Sequence, residues 1–155
     1  MTITPQTKQE KILTVLGNQL ARINPANDTV DGYSFRTTFE SVSWGDSRLT
    51  EFKRNTLVYV QGEKESEHEN MRDRHCLTVE INAYLFANQN IGLALTNAEA
   101  DIKDAIAIDE SFGEGATISN VRSSRSEVEM EGTTAMILSV ELEITFYTER
   151  SRNYG

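Results

Sequence analysis

Residues 134–146 read TAMILSVELEITF, and the reading of this stretch decides the fold class. Met136, Leu138, Val140, Leu142, Ile144 and Phe146 fall at every second position. That is the period of a strand, whose successive side chains point to opposite sides. The row predicts a strand of about 13 residues, well past the usual five or six. Glu141, Glu143, Thr145 and Tyr147 point the other way. A slip of one residue would turn the whole apolar row toward water, so the row also fixes the register of pairing.

A second stretch, residues 75–86 (HCLTVEINAYLF), repeats the pattern. Leu77, Val79, Ile81, Ala83 and Leu85 face one side; Thr78, Glu80, Asn82, Tyr84 and Phe86 face the other. Thr56–Gln61 (TLVYVQ) is β-branched and aromatic, and predicts another strand. Tyr33, Phe35, Thr37 and Phe39 alternate with Ser34, Arg36 and Thr38, which predicts a short half-buried strand. Ala116–Met130 alternates imperfectly, and Gly132 marks a hairpin turn into residues 134–146.

Two segments change to the helical period. From about Thr7 to Ile23, Ile12, Leu13, Leu16, Leu20 and Ile23 share one face, and the helix ends before Pro25. From about Asn90 to Asp109, Ile91, Leu95, Ala98, Ile102, Ala105 and Ile106 do the same, and residues 111–115 (SFGEG) turn the chain. Ser43–Arg54, with the sole tryptophan Trp44, reads as irregular. Gly62–Arg74 (GEKESEHENMRDR) has no apolar stripe and reads as a long exposed loop, a type of segment that often binds something. The expected order is α-β-β-β-α-β-β: an α+β fold, a largely antiparallel mixed sheet with two main helices packed on one face, in a single domain spanning 1–155.

Composition narrows the function. The chain has 155 residues and a net charge of -9, with 24 acidic against 15 basic residues. That field repels phosphate, so nucleic-acid binding driven by counterion release is not expected, although DNA sliding past a repulsive wall is compatible with it. Cys76 is the single cysteine, and the start, Met1–Pro5, lacks a signal-peptide pattern, which predicts a cytosolic chain. No apolar run approaches the ~20 residues of a membrane span, so no membrane role is expected.

Candidate chemistry is sparse. His68 and His75 stand seven apart with Cys76 adjacent, which fits no zinc spacing. A Cys76–histidine nucleophilic pair is the sharpest enzyme reading, and an inert thiol at a strand start is the simpler one. Glu127, Glu129 and Glu131 share a strand face and are expected to be solvated or to meet a partner. Gly113-Glu114-Gly115 lacks the Lys-Ser/Thr of a phosphate loop. The expectation is a protein with no catalytic residues, no cofactor and no metal.

A long strand in a small domain either overhangs or leaves backbone groups at an edge, and such edges invite another chain. Several segments carry a resemblance: TLVYVQ followed by a charged segment, CLTVEINAYLF, the helical ADIKDAIAIDESFGEG and the closing ITFYTE. Together with the first helix, they resemble bacteriophage tail terminators, also called tail completion proteins, the family of the minor tail protein U. The resemblance implies a virion protein, assembled in the host cytoplasm and placed at the head-proximal end of the tail. Such a subunit forms a ring with its own copies, usually a hexamer, that caps the tail tube and stops its polymerisation. Its other face then docks neck or head-completion proteins, while DNA only passes through the channel. The expected partner-interface residues are Glu63, Lys64, Arg72 and Arg74 in the charged segment, with Tyr84, Phe86 and Tyr147 on the outward strand faces. Another neck, connector or tail-tube subunit is the alternative within this class; a small metal-binding protein or enzyme using Cys76 and the histidines lies outside it.

Overall fold

In a computed structural model of the chain, residues 7–26, 34–45, 54–86, 90–130 and 133–149 are described. They form α1 (Lys8–Leu20), β1 (Ser41–Trp44), β2 (Thr56–Glu69), β3 (Arg72–Leu85), α2 (Ile91–Ala107), β4 (Thr117–Met130) and β5 (Thr133–Glu149). The five strands make one mixed sheet in the order β1-β2-β3-β5-β4, parallel between β1 and β2 and antiparallel elsewhere. The fold is α+β in the expected order α-β-β-β-α-β-β.

Both predicted apolar rows face the helices. Leu77, Val79, Ile81 and Ala83 of β3 and Leu138, Val140, Leu142 and Ile144 of β5 are fully buried. They pack with Ile12, Leu16 and Leu20 of α1 and with Leu95, Ala98, Ile102, Ala105 and Ile106 of α2 in one core. Each such burial contributes roughly 1.5–3 kcal/mol, and ordering entropy offsets most of the sum. Thr7 caps α1, its hydroxyl accepting from the Glu10 amide at 3.1 Å. Gly17 has a packing reason: a Cβ there would run into the end of the Tyr59 side chain, which would have to move aside.

Two sequence expectations are corrected. The segment Gly62–Arg74 is not a loop but the distal half of the β2–β3 hairpin, turned by Asn70 and Met71 with Asn70 in the left-handed region at φ 45°. Its pairing is charge-matched: Glu67 opposes Arg74, Glu69 opposes Arg72, and His68 opposes Asp73. Cross-strand pairs of opposite sign support a strand even where neither face is buried. The second correction concerns the Phe35–Phe39 alternation, which is extended but joins no ladder; the strand lies later, at Ser41–Trp44. Tyr33, residues 46–53, Glu131 and Gly132 lie outside the described residues.

The extended segment is held by a buried carboxylate instead of a sheet partner. Asp101 of α2 is 0% exposed, and its Oδ2 accepts from the Arg36 amide at 2.9 Å and the Thr37 amide at 2.6 Å. Phe35, Thr37 and Phe39 are then buried on the core side. Burial and the Asp101 charge together push the Asp104 carboxyl above its ordinary range. Asp101→Ala would strand two amides without acceptors and should cost about 2–4 kcal/mol in urea unfolding. Asp101→Asn keeps an acceptor and should cost less; equal stability of Ala, Asn and wild type would contradict the pinning role.

A candidate assembly surface

Strand length and helix length do not match. At ~1.5 Å per residue, α2 covers about 26 Å, whereas β5 at ~3.3 Å per residue runs about 56 Å. β5 is therefore about twice as long as α2, and three stretches of the sheet and its surroundings stay open.

The first is the distal β2–β3 hairpin. On the sheet side away from the helices, Arg74 opposes Tyr147 and Arg72 opposes Glu149 across to β5. The Arg72 guanidinium lies 3.9 Å from the Tyr147 ring centroid, and Arg72–Glu69 and Arg74–Glu67 ion pairs span 3.8 and 3.9 Å. Exposed pairs of this kind contribute roughly 0–1 kcal/mol each. They leave a ridge of mixed charge open to a partner.

The second surface is a cleft of about 720 Å³ between the first turn of α1 and the sheet. Tyr59, His75 and Phe146 are among its lining residues, and so are Trp44 of β1, Lys8, Glu10 and Lys64. Trp44 is 48% exposed and packs edge-on against Tyr59 with ring centroids 5.2 Å apart. His75 stacks on Phe146 at 4.9 Å, with its Nδ1 2.7 Å from Ser66 Oγ and its Nε2 2.8 Å from Thr148 Oγ1. Lys8 Nζ donates to the Tyr147 carbonyl at 2.8 Å. Neither Lys8 nor Lys64 has an ion pair among the described residues. Burial lowers the His75 pKa; the Lys64 and Lys8 charges lower it further, against an opposing pull from Asp73.

The third surface is β4. It is the outer strand on its side of the sheet, and Val121 through Ser126 are exposed on both faces. Val121 is 42% exposed although it faces the helical side. A free edge of this length is a template for another chain.

The seven residues expected at a partner interface divide among these places. Arg72, Arg74 and Tyr147 come together on the hairpin ridge. Lys64 lies in the cleft, and Glu63 is exposed at the irregularity between Gln61 and Lys64. Tyr84 and Phe86 sit ten or more residues back along β3, roughly 33 Å from Arg74. They belong to a small cluster on the far face with Val58 and Ala135, where Tyr84 is only 8% exposed. Its outward position was legible, but its burial among cross-strand neighbours was not. Sequence reading passed over Lys8, Trp44 and Tyr59; the isolated tryptophan before Gly45 was the one available signal.

His68 and His75 project to the helical side, whereas Cys76, opposite Glu65 and Thr145, projects to the other. The three therefore do not converge. Among the described residues, no group of three or more His, Cys, Asp or Glu is placed to hold a metal ion. No described helix is long and apolar enough to cross a membrane. Compared with known proteins, the chain matches no family model and no curated relative.

The cleft's electrostatics are testable. His75 should titrate below the ordinary histidine value of 6.5. A depressed folded value means that its contribution to stability is present above that pH and fades as pH falls through the folded value. Lys64→Gln should move the His75 midpoint upward in an NMR titration; an unmoved midpoint would remove Lys64 from the cleft's field.

Proposed function

We propose that this chain is a non-enzymatic structural subunit that closes with its own copies into a ring capping a phage tail tube. The observation that carries this reading is the β4 edge: 14 residues of strand, paired on one side only among the described residues. A sheet that ends this way is completed most simply by another chain. The exposed charged residues near the strand ends, Arg72 at one and Glu127 and Glu129 at the other, support the same reading. The sequence resemblance to tail terminators supplies the biological setting.

In this reading one ring face reproduces the docking surface of the tube and the other withholds it, so growth stops. The withheld face is then free for a neck or head-completion protein. The hairpin ridge of Arg72, Arg74 and Tyr147 is the proposed tube contact, since it gathers two cations and an aromatic ring on the sheet face away from the helices. The chain's net charge of -9 keeps passing DNA from adhering to the channel. The site of action is the head-proximal end of the tail, after assembly in the host cytoplasm. A tail-tube or connector subunit would also use a free strand edge, but it would extend the polymer instead of ending it.

Adding the purified protein to polymerising tail-tube subunits separates the two. Tubes should stop at shorter lengths, each bearing a terminal ring in electron micrographs. Arg72→Glu with Arg74→Glu should weaken capping at least about tenfold while rings still form. Tubes that grow on unchanged, or that incorporate the protein along their length, would overturn the terminator reading.

A further inference from the structure

The β4–β5 hairpin continues past the last described pair of β3 and is called the arm below. β3 makes its last pair with β5 at Leu85–Met136, level with Glu127 of β4. From Val128 outward, β4 and β5 pair only with each other among the described residues. On the helical side of β4, Glu127 lies level with that last pair and Glu129 just beyond it, with Arg125 two residues inboard; they stand opposite Met136, Thr134 and Leu138. All three are exposed, and none has an ion pair among the described residues.

The cleft carries the complementary set. Lys8 and Lys64 present two ammonium groups that no described carboxylate neutralises, in a chain where acids outnumber bases 24 to 15. Glu10 is the single carboxylate among its lining residues. Half-exposed Trp44 supplies an apolar rim. Arm and cleft cannot meet within one chain: Met136 and Phe146, which mark their places on β5, lie ten residues or roughly 33 Å apart.

We propose that the arm of one copy, through Glu127 and Glu129, docks into the Lys8–Lys64–Trp44 cleft of the next copy. This rests on the ring reading and names its interface. Two different patches in contact make a heterologous interface, which propagates head to tail and closes when the rotation per copy divides a full turn. A patch that paired with itself would stop at two copies.

A charge exchange tests this contact separately from the ring. One variant carries Lys8→Glu and Lys64→Glu, the other Glu127→Lys and Glu129→Lys. Each alone opposes like charges at every interface and should sediment as a 17.4 kDa monomer where the wild type assembles. Mixed in equal amounts, the variants restore opposite charges at both kinds of contact, so alternating rings should re-form. Covering the sole tryptophan should shift Trp44 emission to the blue in the mixture and in neither variant alone. A variant that assembles alone like wild type, or a mixture that stays monomeric, would overturn the arm contact and leave the ring reading standing. A wild type that never assembles would remove the ring reading itself. Should the doubly reversed cleft fail to fold, Lys64→Gln leaves the Lys8 hydrogen bond to Tyr147 intact. It must still weaken assembly at least about tenfold, or the proposal fails.

Discussion

The pairing of β3 with β5 is the constraint on which the rest of the molecule depends. It runs without a break from Arg72–Glu149 to Leu85–Met136. The buried row of β5 and the buried row of β3 both face the helices only in this register. A one-residue slip would drive Glu141 and Glu143 into the core and expose Leu142 and Ile144, a change of many kcal/mol by any transfer scale. With the register fixed, β2 and β4 can only add at the flanks, and both helices have only one face to cover.

That constraint also explains why the sheet carries exposed charged ends. β5, locked in this register, extends about 56 Å, and α2 spans less than half of that. The uncovered strand ends cannot be apolar in a stable monomer, so they carry charge: Glu67, Glu69, Arg72 and Arg74 at one end, and Glu127 and Glu129 at the other. Register shifts at Gln61/Lys64 and Ile118/Asn120 interrupt the flanking ladders, which then resume on the far side. Charged overhangs resist indiscriminate edge-to-edge aggregation while remaining competent for one matched partner.

Much of this was legible in the sequence wherever one face is buried. The β5 row, the β3 row and the face of α2 each follow from period alone, and all three proved to be core. Period failed where both faces are wet. The β2–β3 hairpin has no apolar stripe, so its only signal was the mirrored charge order about Asn70 and Met71, with Glu67 set against Arg74 and Glu69 against Arg72. Period also misled at Phe35–Phe39, where alternation reflects packing against α2 under the hold of Asp101. A buried acid in an apolar helical face is a local inconsistency, and its partners, two backbone amides more than sixty residues away, leave no trace in sequence. The cleft was hidden for a related reason: Lys8, Trp44, Lys64 and His75 come from four elements and meet only through the fold.

The central claim is that the sheet is completed by sister copies. Imaging the unmodified, purified protein by electron microscopy across a range of concentrations tests it most directly. Closed particles of one diameter with a central opening, built from a whole number of 17.4 kDa chains, are the expected result. Solid particles of single-chain size at every concentration would contradict it.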